Sequence, residues 1–231
     1  RGSSVIIYAS TIVVVEETAA KLNDRGIAAV AYHAQMPAQQ RRAAQERWMA
    51  GSPAVLVGTI AFGMGIDKPD VRAVVHLSLP KSLEQYYQEA GRAGRDGEPS
   101  DCLLAWQGRD AGVLGHFIKQ ISDEAEIRRA WRRYDEIRSY AESALCRHVV
   151  IRRHFGEPVP SRICGMCDLC GPLPEWYRLA LEAEAGPVAA RRGKQRRRAR
   201  DAAPAAPTPL AAGPATDGVF QKLRAWRLRS E

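Results

Sequence analysis

Short runs rich in β-branched residues recur through the first half of the chain, separated by stretches of helical pattern, and this rhythm constrains the fold more than any other feature. The runs are SVIIYA, ending at Ala9, then IAAVAY (27–32), AVLVGT (54–59), VRAVVHL (71–77) and CLLAW (102–106). A helix is expected near residues 15–25 and another across 37–50, where Pro37 suits a first turn that does not need its N–H. Strand, helix, strand at this spacing predicts βαβ units and a buried parallel sheet, the α/β class. The α/β part closes near residue 107.

Beyond it the texture changes. Residues 109–155 are charged and poor in strand formers, with Ile127, Trp131, Tyr134, Ile137 and Leu145 at helical intervals, which predicts a helical hairpin. The chain of 231 residues is long enough for one full domain and a smaller one. The expected division is 1–107 for the sheet domain, 108–175 for the hairpin and a cysteine-rich module, 176–216 for an Ala/Pro/Arg-rich linker and 217–231 for a short terminal helix. The linker, whose clearest part is AAPAAPTPLAAGPA, has too little apolar surface to order itself. In DGVFQKLRAWRLRSE, Asp217 is an N-cap candidate and Phe220, Leu223, Trp226 and Leu228 form part of an apolar face.

The net charge of +8 bears on partners only after its source is located. Residues 191–200, RRGKQRRRAR, carry seven of the positive charges, so the body of the chain is nearly neutral. That run is either a solvated linker or a nonspecific attraction for a nucleic-acid backbone. Arg128, Arg129, Arg132 and Arg133 are balanced by Asp123, Glu124, Glu126, Asp135 and Glu136, so no basic patch is expected there. No apolar run reaches the roughly 20 residues of a membrane span and no leader opens the sequence, which reads as cytosolic or nuclear.

Two motifs carry chemistry. In QEAGRAGRDG (88–97), Arg92 and Arg95 stand three apart among glycines, after Tyr86 and Tyr87. A helix beginning after Pro80 would project Gln88, Arg92 and Arg95 from its C-terminal end, and paired guanidiniums suit phosphate oxygens. The plainer alternative is a solvated basic turn. Upstream, VLVGTIAFGMGIDKPDVRAVVHLSLP holds Thr59, a glycine-rich stretch with Gly63 and Gly65, and Asp67. Such loops at the carboxyl ends of parallel strands are where open α/β sheets bind ligands.

The second motif is Cys146 with CGMCDLC, in which Cys164, Cys167 and Cys170 follow one another at intervals of three. C-x-x-C lets two thiolates meet one tetrahedral ion, and four sulfurs fit Zn²⁺. Five cysteines are an odd count for a secreted disulfide framework. Cys102, in an apolar strand, is expected in the core, and His148 and His154 are left out of the ligand set. Arg147 and Arg162 are expected to offset the charge of the thiolates.

Taken in order, YHA (32–34), AFGMGIDKPDVRAVVH (61–76) and YYQEAGRAGRDG (86–97) resemble the RecQ family of DNA helicases, and residues 5–106 resemble the second RecA-like domain of a superfamily-two helicase. The family carries a four-cysteine zinc module after its helicase core, so the resemblance extends to about residue 171. It implies a RecA-like parallel sheet followed by a small helical zinc-binding domain and a disordered tail.

The resemblance also implies roles. ATP with Mg²⁺ would lie between two RecA-like domains, with Arg95 as the leading arginine finger, Arg92 beside it and Gln88 positioning water or phosphate. Asp67 would face the ribose or Arg92, and Gly65 would lie in the same cleft. Thr59, Ser10 and Thr11 would contact the DNA backbone, although Ile12 stands where the family usually has an arginine. Zn²⁺ would be structural, held by Cys146, Cys164, Cys167 and Cys170. Partners would be single-stranded and forked DNA and an N-terminal RecA-like domain, the substrate being unwound 3′ to 5′ in repair and recombination. The compartment would be the nucleoid or the nucleus. The terminal helix looks like the opening of an HRDC domain, and the short stretch before it leaves no room for a winged-helix domain. No G-x-x-x-x-G-K-[ST] and no metal-binding Asp-Glu strand occur, so the chain by itself is expected to be inactive. Two other readings remain: a non-catalytic zinc-containing DNA-binding or interaction module, and an RNA helicase.

Overall fold

The computed structural model describes residues 4–59, 67–108, 110–175 and 177–179. Gly63 and Gly65, the basic run at 191–200 and the terminal helix expected at 217–231 lie outside them. Two compact units divide the chain, Arg1–Arg162 and Ile163–Glu231.

The first unit contains β1 (Ser4–Tyr8), α1 (Ile12–Asp24), β2 (Ala29–Tyr32), α2 (Ala38–Met49), β3 (Val55–Gly58), β4 (Val71–His76), α3 (Leu83–Ala90), β5 (Asp101–Leu104), α4 (Asp110–Lys119), α5 (Glu124–Glu142) and α6 (Arg147–His154). The strands form one sheet in the order β2-β3-β1-β4-β5, and all pairings are parallel. The α/β expectation holds.

Side chains on a strand alternate between faces, so the apolar runs feed two cores. Ile6, Tyr8 and Leu56 join Trp48, Val71 and Val74 in one cluster. Val55 and Val57 join Ala9, Val15 and Ala19 in another, with Val5 and Ile7 packed against it. β3 is buried at every position, which explains its continuous Val-Leu-Val pattern.

Thr11 sets the start of α1: its side chain accepts from the Val14 N–H at 3.3 Å. That cap draws Ile12, Val13 and Val14 into a helix despite their β-branched side chains, so α1 begins three residues ahead of the expected position. Ser82 caps α3 in the same way, accepting from Gln85 N–H at 3.2 Å. The expected hairpin resolves into three helices, α4 to α6. Leu79, Leu83 and Tyr86 pack with Leu114, Tyr134, Ile137, Tyr140 and Ala141, which fixes α3 against α4 and α5. On α5, Arg128 pairs with Glu124, and both Arg129 and Arg133 pair with Glu126. Cys102 is exposed, which corrects its expected place in the core: β5 is an edge strand, and the Cys102 thiol sits at its rim, donating to Ala90 O at the end of α3 at 3.6 Å.

Candidate functional site

The expected site residues fall into three groups. Ser10, Thr11 and Thr59 sit just past the carboxyl ends of β1 and β3. Ser10 is exposed, Thr11 and Thr59 are half-buried, and the Thr59 N–H donates to Tyr32 O at 3.3 Å. The Thr11 hydroxyl oxygen is also the α1 cap.

The second group is the glycine-arginine turn. α3 ends at Ala90 with Gly91 as its C-cap, and residues 91–97 fold back against the beginning of β4. Gly94 N–H donates to Val71 O at 2.9 Å and Asp96 N–H to Pro69 O at 3.4 Å. The turn therefore lies at the amino end of β4, about one strand length, roughly 17–20 Å, from the carboxyl-end loops where the sequence pattern suggested a ligand would sit. Gly94 has φ +64, and a Cβ there would stand 2.6 Å from Ser100 Oγ and 2.8 Å from Glu98 O. Only glycine fits both the conformation and the space.

Within the turn, Arg95 Nη1 donates to Asp67 Oδ1 at 2.8 Å. Asp67 thus meets Arg95, where the sequence reading placed it opposite the ribose or Arg92. Gln88 and Arg95 are exposed and Arg92 is half-buried. Arg92 is a hydrogen-bond partner of Tyr8, and as guanidinium has only donors, the Tyr8 oxygen accepts. Burial pushes the Tyr8 phenol far above its ordinary value, so it stays neutral.

Other residues that brace the turn were not evident in the sequence. Arg72 on β4 donates to Asp96 and, at 3.3 Å each, to Pro69 O and Pro99 O. This hydrogen bond holds the Asp96 carboxyl below its ordinary range. His76 Nε2 and Glu89 Oε2 are 2.8 Å apart with side chains 2% and 7% exposed, and Gln85 donates to the other Glu89 oxygen at 2.9 Å. A histidine closing an apolar strand and a glutamate on the inner face of a helix were the available signals.

The third group is sulfur. Cys164, Cys167 and Cys170 meet in a tight loop of the second unit: Cys170 Sγ is 3.5 Å from Cys164 Sγ and 3.2 Å from Cys167 Sγ. The N–H groups of Gly165 and Met166 donate to Cys170 and Cys164 at 3.3 and 3.4 Å. Burial pushes the Cys170 thiol up, but hydrogen bonds from Cys167, from Cys164 and from the Gly165 backbone outweigh it and hold it down at about 6. Cys146 is buried in the first unit as the N-cap of α6. Tetrahedral thiolates about 2.3 Å from Zn²⁺ stand about 3.8 Å apart, so the three sulfurs of the second unit fit zinc with a small expansion.

Arg147 donates to the carbonyls of Tyr140 (2.6 Å), Ala141 and Ser143 (3.3 Å each), so it caps α5 rather than serving only the thiolate charge. His154 pairs with Glu84 at 2.6 Å.

Two family models match the chain. Residues 1–97 match the helicase conserved C-terminal domain and residues 108–171 match the RecQ zinc-binding family. An ATP-dependent DNA helicase Q-like 2 from Arabidopsis thaliana is 45% identical over 170 residues, 73% of this chain and 23% of that protein. An ATP-dependent DNA helicase RecQ from Pasteurella multocida is 38% identical over 184 residues, 80% of this chain and 29% of that protein. The chain thus spans about a quarter of the length of these curated relatives. Among solved structures, the Escherichia coli DEAD-box protein SrmB, bound to regulator of ribonuclease activity A, is 28% identical with a TM-score of 0.44, covering 53% of this chain and 72% of that one. Among the described residues no helix is long and apolar enough to cross a membrane.

Proposed function

We propose that this chain, which belongs to the RecQ family of helicases, supplies half of an ATP site, part of a DNA track and a structural zinc site to an ATP-dependent 3′ to 5′ DNA helicase acting in repair and recombination. The observation that carries the reading is the turn at 91–97, tied to the start of β4 by backbone hydrogen bonds yet presenting Arg95 to solvent beside Asp67.

A guanidinium on a braced turn is suited to the charge that develops on a transferring phosphoryl group, and it is more effective there than on a flexible loop because little reorganisation is left for the reaction itself. In this reading Arg95 reaches the γ-phosphate across a cleft, Arg92 and Gln88 flank it, and Asp67 and Gly65 border the nucleotide. The Mg²⁺ and the β-phosphate are held by an N-terminal RecA-like domain. Ser10, Thr11 and Thr59 face the DNA backbone at the other end of the strands, the substrate being single-stranded or forked. The site of action is the nucleoid or the nucleus. Residues 1–107 form the second RecA-like domain and 108–175 the zinc-bearing module. Bound zinc supplies folding free energy, and Cys146, Cys164, Cys167 and Cys170 hold it.

ATP hydrolysis by this chain, alone and joined to the N-terminal domain, tests the proposal. Turnover stimulated by single-stranded DNA is expected only in the joined protein. DNA-stimulated turnover by this chain alone, or a joined protein that binds DNA without hydrolysing ATP, overturns it, the latter in favour of a non-catalytic DNA-binding module.

A further inference from the structure

The two candidate sites of the first unit lie at opposite ends of the sheet strands, yet a continuous set of buried side chains runs between them. Tyr8 is the last residue of β1, two positions before Ser10 and three before Thr11. Tyr8 pairs in register with Gly58 and His76, and Leu77 N–H donates to Tyr8 O at 2.9 Å. The Tyr8 ring, only 4% exposed, stacks on His76 with centroids 5.1 Å apart and planes 21° apart. His76 bonds Glu89, one helical turn before Arg92, and Arg92 bonds the Tyr8 hydroxyl. Ala93, the next residue, packs against the cluster that holds Tyr8.

This arrangement has room to change. A cavity is lined by Ser10, Ser78 and Lys81 together with Tyr8, His76 and Glu89, so the exposed loop and the buried set share one space. His76 Nδ1 is buried without a hydrogen-bond partner among the described residues, which leaves that ring a second bonding arrangement when the cavity changes shape. Close packing elsewhere around Tyr8 means that a shift of the Ala9–Thr11 backbone passes to the ring rather than being absorbed.

We infer that Tyr8 is a positioning residue that couples the DNA-facing loop at Ser10 and Thr11 to Arg92, its hydroxyl carrying the shift of the loop across the sheet to the arginine turn. The inference rests on the proposed assignment of the two sites. Tyr8 touches neither DNA nor ATP; its hydroxyl sets where Arg92 points.

Tyr8→Phe keeps the ring, the stack on His76 and the burial, and removes only the oxygen that Arg92 binds. In the protein joined to its N-terminal domain, the ratio of DNA-stimulated to DNA-free ATP turnover is expected to fall about tenfold, in the middle of the range that couplings between two sites span. DNA affinity should stay close to wild type. A merely structural role would lower both turnover rates together and leave the ratio intact, and an unchanged ratio in a folded Tyr8→Phe protein overturns the inference.

A second measurement needs no hydrolysis. In this chain alone, labelled with ¹⁵N at arginine side chains, adding an oligothymidylate should shift the Arg92 Nε–H signal in wild type and leave it in place in Tyr8→Phe. An Arg92 signal that ignores the oligonucleotide in wild type, or moves equally in both, overturns the inference. Arg95→Ala in the turnover assay separates the two claims: if it is silent, the arginine half-site fails, while the Arg92 signal still decides whether Tyr8 couples.

Discussion

Arg95 and Asp67, 28 residues apart in sequence, are joined by a single hydrogen bond of 2.8 Å, and the two side chains are 38% and 83% exposed. An ion pair this open to water contributes about 0–1 kcal/mol. It orients the guanidinium without committing it, so a phosphate can displace the carboxylate.

Asp67→Ala should therefore lower the unfolding free energy by less than about 1 kcal/mol. Urea unfolding of the isolated chain measures this, and a loss above about 2 kcal/mol would mean that the pair is a structural bond, not a holding contact.

Zinc should bind at one equivalent, and its removal should unfold the loop at 164–170, because metal binding in comparable small sites supplies on the order of 10 kcal/mol of folding free energy. Elemental analysis and thermal melting read the two effects. Cys167→Ser should lose the metal and melt early, whereas Cys102→Ser, at an exposed position outside the cluster, should keep it. Full zinc retention and an unchanged melt in Cys167→Ser would contradict the four-thiolate site.

Gly94→Ala should cost about 1–3 kcal/mol, since φ is +64 and the new Cβ would meet Glu98 O at 2.8 Å, a backbone atom that cannot swing aside. Gly97→Ala is the internal comparison. Its φ of +83 is also left-handed, but nothing lies within 4 Å, so the cost should be limited to the backbone conformation, about 1–2 kcal/mol. Equal stability of Gly94→Ala and wild type in urea unfolding would show that the turn is not held as described.

Much of this could be read from the sequence. The strands were legible because sheet burial imposes apolar runs at fixed intervals, and the cysteines because thiolate spacing is a local property. Where α3 brings its arginines was not, because the return of a helix across a sheet is a property of topology: no local pattern says that Gly94 will bond Val71 at the amino end of β4. The start of α1 was hidden by Ile12, Val13 and Val14, whose strand preference loses to the Thr11 cap and to burial of Val15 and Ala19. Nor could spacing alone predict that Tyr8, His76 and Glu89 would meet, since pairs so distant in sequence are joined only by strand order.

Acid should loosen the turn at 91–97 and the start of α5. Hydrogen bonds from Arg72 hold Asp96, and those from Arg133 and then Arg129 hold Glu126, below the ordinary carboxylate range. Folded values lower than unfolded ones mean that the stabilisation is complete above about pH 4 and is lost as pH falls through the depressed values. The unfolding free energy should drop over that window, and Asp96→Asn should flatten part of the slope. Parallel pH profiles for wild type and Asp96→Asn in urea titrations would contradict the Arg72–Asp96 contribution.

The central claim is that Arg95 acts on ATP across a cleft, and steady-state hydrolysis at saturating single-stranded DNA by the protein joined to its N-terminal domain tests it most directly. A group engaged mainly when the domains close stabilises the transition state more than the resting complex. Arg95→Ala should therefore lower kcat by roughly 10³-fold or more while leaving ATP and DNA binding near wild type, and Arg95→Lys should rescue it poorly because an ammonium lacks the planar fork. A kcat for Arg95→Ala within about threefold of wild type, less than ~1 kcal/mol of barrier, would contradict the account.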